Sequence, residues 1–172
     1  MKLSIGIDFG AIYSTLAFFD EGTARVLSTV PSARTEFPAA KRLLERVCSA
    51  LPDDVMAWED VFESPLRLGA KRYILGQICV SVLSQLRAEA KDCLGNEVDR
   101  CAISVPARSS LAYQILLRQS AIKAGFKWVD LVSELQAATW DLMPLLSGEE
   151  KYVLIFDMSG ANTQAKVDQE RS

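Results

Sequence analysis

The chain has 172 residues, of which 49% are hydrophobic and 24% are charged, and these proportions are those of an ordinary globular domain. We expect a single domain, since a chain of this length buries about two-thirds of the surface that it exposes when unfolded. The formal net charge of −3 and the lack of a basic stripe exclude a general attraction to nucleic acid or to anionic membranes. No apolar run reaches the roughly 18 residues of a membrane span.

The sequence contains no histidine and four cysteines. The lack of histidine excludes Ser-His-Asp and Cys-His activation of a nucleophile, and it excludes a histidine-ligated zinc site. The cysteines form no Cys-x-x-Cys pair, and no secretory segment precedes Asp8. We therefore expect reduced, buried thiols in a cytoplasmic protein. Any chemistry would have to use carboxylates, lysines, hydroxyls and a bound metal.

Three strands and two helices are predicted in the first hundred residues. Alternating apolar residues predict an antiparallel meander with strands at residues 3–8, 15–20 and 24–29. Residues 38–51 have helical spacing, with Pro38 in the first turn, where proline is tolerated. Residues 52–69 have no pattern that assigns them to a helix or a strand. From about residue 70 to residue 94 the apolar residues again keep helical spacing, and Gly95 predicts the end of that helix.

The second half of the chain alternates strands with helices. A buried strand is predicted at residues 101–107, and Ser109 or Ser110 then caps a helix that continues to Gly125. A short strand at 128–132, a helix from 133 toward 143 and a final hairpin after residue 150 follow. This alternation after an antiparallel start predicts an α/β layered domain with a mixed sheet.

Two segments of the sequence share one form. Residues 5–19, "IGIDFGAIYSTLAFF", and residues 154–167, "LIFDMSGANTQAKV", each combine an apolar strand that ends in Asp, a turn of small residues and a returning strand. Two such hairpins can place Asp8 and Asp157 across a cleft, with turn amides directed at phosphates and carboxylates at a magnesium ion through water. The alternative is a pair of ordinary hairpins that happen to carry Asp at the turn.

The order of motifs resembles that of the seventy-kilodalton heat-shock chaperones, which are members of the actin-like ATPase superfamily. The segment "SVLSQLRAEAKDCLGNEVDRCAISVPA" is similar to the family's long helix, its Leu-Gly stop and its Val-Pro-Ala strand end. The segment "AIKAGFKWVDLVSELQAATW" resembles the family's "AGL...RIINEPTAAALAY", and "PAAKRLLERVCSALPDDV" resembles "AIKRLIGR". The resemblance runs from about residue 3 to residue 168.

This resemblance implies an α/β fold, namely one actin-like ATPase (ribonuclease H-like) lobe that has a mixed sheet and flanking helices. The lobe would span residues 1–172, with its core at about 1–35 and 100–172 and a shortened inserted subdomain at about 36–99. The family's second lobe, which holds the adenosine, and its peptide-binding domain would be absent. We therefore expect a truncated lobe whose uncovered face binds a second copy, as a homodimer, or a partner protein.

The resemblance also assigns roles to single residues. Asp8 falls on the aspartate of the first phosphate loop and Asp157 on that of the second, and both would face the shell of a magnesium ion. Lys41 falls on the lysine that meets the transferred phosphate, and Glu134 on the carboxylate that positions the attacking water. These groups would suffice for phosphoryl transfer from Mg-ATP to water. Pro106 falls on a proline that takes part in signalling between domains.

Both phosphate loops depart from the family's pattern. The first, usually DLGTTNS, reads "DFGAIYS", which keeps Asp8, Gly10 and Ser14 but places Ile12 and Tyr13 in the turn. The second, usually DLGGGTFD, reads "DMSGANTQ", where the positions expected near phosphate are Asp157, Ser159, Gly160 and Asn162. Gly160 is the one glycine kept of three, and a Cβ at the others would obstruct the approach of backbone to phosphate. These changes predict that ATP binding is weakened or lost.

The sequence leaves three functions open. In the first, the old cleft serves as a binding scaffold or a small-molecule pocket lined by Ile12, Tyr13 and Met158. In the second, the lobe still binds Mg-ATP and completes its site with a partner chain. In the third, Glu134 and Asp157 act as acid and base in a reaction that involves no nucleotide, with Tyr13 as a hydroxyl donor. Whether the chain is an enzyme stays open at this point.

Overall fold

The computed structural model describes residues 3–20, 22–31, 37, 40–51, 58–68, 70–142, 152–158 and 163–169. The strands in these residues are β1 (Ser4–Asp8), β2 (Tyr13–Asp20), β3 (Thr23–Pro31), β4 (Pro65–Leu68), β5 (Lys71–Ile74), β6 (Arg100–Val105), β7 (Trp128–Ser133), β8 (Tyr152–Met158) and β9 (Thr163–Gln169). The helices are α1 (Ala40–Cys48), α2 (Trp58–Phe62), α3 (Leu75–Leu94), α4 (Leu111–Lys123) and α5 (Glu134–Leu142).

A mixed five-stranded sheet forms the centre of the fold. Its strand order is β3-β2-β1-β6-β7. The first three strands are antiparallel neighbours, whereas β6 is parallel to both β1 and β7. The meander and the α/β alternation predicted from the sequence are therefore confirmed. Two further two-stranded sheets, β4-β5 and β8-β9, lie outside this sheet.

Strand β1 separates a core face from a polar end. Ile5 and Ile7 are each 2% exposed and belong to one hydrophobic core with the apolar faces of α3 and α4. Asp8 points the opposite way, because successive side chains of a strand alternate between the two faces of the sheet. Asp8 is exposed at the carboxyl end of β1, where the chain leaves the sheet.

The ends of the two longest helices follow their sequence signals. Gly95 has φ +67°, a left-handed conformation that closes α3, and its N–H donates to the carbonyl oxygen of Lys91. The side chain of Ser110 accepts a hydrogen bond from the backbone N–H of Tyr113 at 3.3 Å, so Ser110 is the cap of α4. Among the described helices, none has both the length and the apolar character needed to cross a membrane.

One predicted boundary is wrong. The helix expected from about residue 70 begins at Leu75, and the residues before it form β5, which pairs antiparallel with β4. Tyr73 and Ile74 favour a strand, and the ring of Phe37 packs edge-on against Tyr73 at 5.2 Å between ring centroids. The unassigned stretch at residues 52–69 thus contains α2 and the first strand of a hairpin.

The four cysteines divide into one exposed thiol and three buried ones. Cys48, Cys79 and Cys101 are 0–2% exposed, whereas Cys93 is exposed on α3. Burial raises the pKa of the Cys48 thiol to about 11 and the pKa of Cys79 and Cys101 to about 12. Because the thiolate is the reactive form, these three thiols are expected to be inert in the folded protein.

Thiol labelling tests this division. In the native protein at mildly alkaline pH we expect one rapidly reacting thiol per chain with a disulfide reagent, and four after unfolding. The variant Cys93→Ser should lose the rapid phase and keep the three slow thiols. Rapid labelling of a second thiol in that variant would contradict the burial of Cys48, Cys79 and Cys101.

Candidate functional site

A nearly buried ion pair joins two helices that are distant in sequence. Lys41 lies in the first turn of α1 and Glu134 is the first residue of α5. The Lys41 Nζ atom donates to Glu134 Oε1 at 2.5 Å, and the two side chains are 5% and 11% exposed. Since burying an isolated charge is costly, the contact between Lys41 and Glu134 offsets part of the cost of burying each side chain.

Asp8 is held by a neighbouring strand. Because β1 and β6 run parallel, their carboxyl ends lie at the same edge of the sheet, which places Asp8 beside Ser104. The Ser104 hydroxyl donates to Asp8 Oδ1 at 2.7 Å. This hydrogen bond orients the Asp8 carboxylate at the edge where open α/β sheets commonly bind ligands.

The turn between β1 and β2 is closed tightly at Gly10. A Cβ at this position would overlap the carbonyl oxygen of Tyr13, so only glycine fits without opening the turn. Ile12 and Tyr13 follow on the outside of the turn and are 52% and 54% exposed. Ser14 is 2% exposed and is not among the residues that line the cleft described next.

The ion pair, the Asp8 carboxylate and the Gly10 turn surround one open cleft of about 460 Å³. The lining residues are Asp8, Gly10, Ala11, Ile12, Tyr13, Lys41, Ser104, Glu134, Ala137 and Ala138. The lining therefore combines three charged side chains and the Ser104 hydroxyl with apolar and aromatic residues. Within it, one lysine faces two carboxylates, so the described lining has a formal charge of −1.

Six of the residues assigned by resemblance meet in this cleft. Asp8, Gly10, Ile12, Tyr13, Lys41 and Glu134 all line it. Pro106, the next residue after β6, is buried. The backbone of Asp157 lies in β8 opposite Gln164, and β8 and β9 contact α5, the helix that begins with Glu134. The side chains of Asp157 and Met158 lie outside the description, as do the whole residues Ser159, Gly160 and Asn162.

The sequence analysis did not predict four of the lining residues, namely Ala11, Ser104, Ala137 and Ala138. The signal for Ser104 was its place near the end of a strand predicted to be buried, but its contact with Asp8 requires knowledge that β1 and β6 are parallel neighbours. Ala137 and Ala138 follow Glu134 by one turn of α5, so a helix that starts at Glu134 carries them along the same side.

The hydroxyl of Tyr113 is a further polar group that sequence analysis did not single out. Tyr113 is 1% exposed, and its hydroxyl has no hydrogen-bond partner among the residues that the structure describes. Burial raises the pKa of the Tyr113 phenol far above its usual range, and the carboxylates of Glu45 and Glu134 raise it further. The phenol therefore stays neutral at physiological pH.

Comparison with known proteins adds to this geometry. The family model for Hsp70 protein matches residues 43–168. The chain is 23% identical to the chaperone protein DnaK of Thermosipho africanus over 182 aligned residues, which cover 95% of this chain and 30% of the relative. It is 24% identical to DnaK of Mycoplasma mobile, with 95% and 29% of the two chains covered. The chain thus spans about 30% of the length of these curated relatives. The match to the family model, together with the mixed sheet and its flanking helices, establishes that the chain belongs to the Hsp70 family.

Proposed function

We propose that the cleft binds the phosphate groups of a magnesium nucleotide such as Mg-ATP, with weakened affinity. The observation that carries this proposal is the nearly buried Lys41–Glu134 ion pair in the same cleft as the Asp8 carboxylate and the Gly10 turn. A lysine beside a phosphate and a carboxylate beside a water are the groups that phosphoryl transfer uses for positioning and charge stabilisation. In this proposal Lys41 contacts phosphate and Glu134 orients water.

The donor set at Asp8 fits a magnesium ion. Mg²⁺ prefers oxygen ligands, keeps several waters and is commonly held by one or two carboxylates together with substrate phosphates. Asp8 supplies one oriented carboxylate, and the described residues contain no group of three or more acidic or cysteine side chains that would form an all-protein cage. Asp157 is proposed as the second carboxylate. When bound, the ion would neutralise phosphate charge in a cleft whose lining is itself negative.

The weakened affinity follows from the composition of the cleft. Ala11 and Ile12 replace the two threonine hydroxyls expected in the first phosphate loop, so two hydrogen bonds to phosphate are lost. Lys41 is already engaged with Glu134, and a phosphate would have to share it. We therefore expect a dissociation constant of about 1 mM, near the weak end of specific ligand binding.

Calorimetric titration of Mg-ATP tests this function. We expect saturable heat that disappears when EDTA removes the metal, because bare ATP would meet a negatively charged cleft. Asp8→Ala should weaken binding at least tenfold. The matched control is Asp130→Ala, which removes an exposed carboxylate of β7 that does not line the cleft. Equal heats for the protein and for Asp8→Ala, or equal binding without metal, would contradict the proposal.

A second candidate function is a pocket for an organic ligand that is not a nucleotide. It is favoured by Ile12 and Tyr13, which line the cleft and are each more than half exposed. An aromatic and an aliphatic side chain next to a few fixed polar groups are typical of small-molecule sites. A thermal shift with a non-nucleotide metabolite that Tyr13→Phe removes and Asp8→Ala keeps would select this function over the first. With Glu134 as its acid or base, such a pocket could also carry out catalysis.

A further inference from the structure

The β4–β5 hairpin carries an arrangement of charge that the cleft does not explain. Arg67 on β4 and Arg72 on β5 are directly opposite each other in the antiparallel register, and both are exposed. Lys71, also exposed, adjoins Arg72 at the turn end of the hairpin. None of these three residues lines the cleft, so the hairpin is a separate surface.

These three cations have no compensating carboxylate among the described residues. The ion pairs among the described residues all involve side chains outside this hairpin. Like charges directly across an antiparallel pair destabilise a hairpin. The chain as a whole is acidic, with a net charge of −3, so a cationic cluster here is a local feature and not a consequence of composition.

The opposite face of the hairpin is anchored. Leu66 and Tyr73, an adjacent cross-strand pair on the other face, pack against the hydrophobic core. Alternation along the strands therefore directs the two arginines away from the protein. Because side chains opposite each other in a sheet are close neighbours, both guanidinium groups can reach the same anionic group or two adjacent ones.

The backbone of the hairpin offers a second kind of contact. Within the described residues, β4 and β5 pair with each other and with no third strand. The outer edge of such a ribbon presents N–H and C=O groups that can pair with an added strand. A free phosphate or a nucleic acid would use the arginines alone, whereas an extended polypeptide would use both the arginines and the edge.

We propose that the β4–β5 hairpin binds an extended acidic segment of another protein, which adds to the hairpin as a strand and places its carboxylates against Arg67 and Arg72. Lys71 lies on the other face at the turn end, so it adds to the local positive charge without sharing the face of the two arginines. This binding surface is independent of the nucleotide proposal, since it shares no residue with the cleft.

The probe for this surface is a fluorescein-labelled peptide of four Thr-Glu repeats, in which every carboxylate lies on one face of an extended strand. We expect saturable binding by fluorescence anisotropy that weakens as salt is raised. The double variant Arg67→Gln/Arg72→Gln should bind at least tenfold more weakly. The double variant Arg46→Gln/Arg118→Gln removes the same charge from exposed positions of α1 and α4, and it should bind as the unmodified protein does.

Further binding measurements distinguish the possible ligands of the hairpin. A peptide of four Thr-Gln repeats, and a Thr-Glu peptide with alternate backbone nitrogens methylated, should each bind at least tenfold more weakly. Arg72→Glu replaces the like-charge pair by a pair of opposite charges, so it should raise the melting temperature and abolish binding. This variant provides the test if the double glutamine variant folds poorly. Absence of binding, equal loss in both double variants, or equal binding of an oligothymidine or of the methylated peptide would overturn the proposal.

Discussion

Lys41→Met is expected to lower the free energy of unfolding by about 3 kcal/mol, the lower end of the range for breaking a buried ion pair. The substitution keeps the volume of the side chain but takes the ammonium group away from the Glu134 carboxylate, which is only 11% exposed. The lower end applies because Glu134 makes a further interaction in the structure. Urea unfolding at neutral pH measures the change.

Two further variants make the result specific to the pair. The double variant Lys41→Met/Glu134→Gln removes both charges and should recover most of the lost stability, since a buried pair is costly mainly when one partner is left. Lys127→Met breaks the contact with Asp99 at 2.8 Å, in which the lysine is 68% exposed, and should cost less than about 1 kcal/mol. If Lys41→Met costs no more than Lys127→Met, the pair is not buried as described.

The local signals in the sequence predicted the core of the fold well. Alternation identified β1 and β2 because one face of each is buried, and Gly95 and Ser110 marked helix ends because each supplies a specific backbone or side-chain hydrogen bond. These signals act within a few residues of one another. For that reason they can be recognised without knowing which strands are neighbours.

Local signals of this kind did not predict the β4–β5 hairpin. Its strands have four residues each, too short for a clear alternation, and the apolar residues of β5 continue the spacing of α3 backwards along the chain. What fixes the hairpin is contact with distant residues, including the ring of Phe37 against Tyr73. A tertiary contact of this kind overrides the helical pattern, and the sequence does not display it.

The candidate site also combines residues that the sequence identified with contacts that depend on the tertiary structure. Resemblance selected Asp8, Lys41 and Glu134 individually, but their assembly depends on how α1 and α5 lie relative to the sheet. The ion pair joins residues 93 positions apart, and the Ser104–Asp8 hydrogen bond joins residues 96 positions apart. Neither contact follows from spacing along the chain. The exposure of Ile12 and Tyr13, which decides how apolar the cleft is, likewise depends on the tertiary structure.

Gly10→Ala is expected to open the turn between β1 and β2 and to abolish the binding of Mg-ATP. The added Cβ would overlap the carbonyl oxygen of Tyr13, a backbone atom that cannot move aside as a flexible side chain can. We expect a loss of about 1–3 kcal/mol in the free energy of unfolding, as for other overpacked sites. Urea unfolding and calorimetric titration of the same sample measure both effects.

Gly6→Ala is the matched control, because it adds the same methyl group to β1 where the nearest non-adjacent heavy atom, the carbonyl oxygen of Ala17, lies 3.9 Å from the new Cβ. That variant should keep both its stability and its response to Mg-ATP. If Gly10→Ala loses stability but binds as before, phosphate does not contact the turn and the nucleotide proposal loses its phosphate loop. If it loses binding while Gly6→Ala keeps it, the close approach of backbone at Gly10 is what the ligand requires.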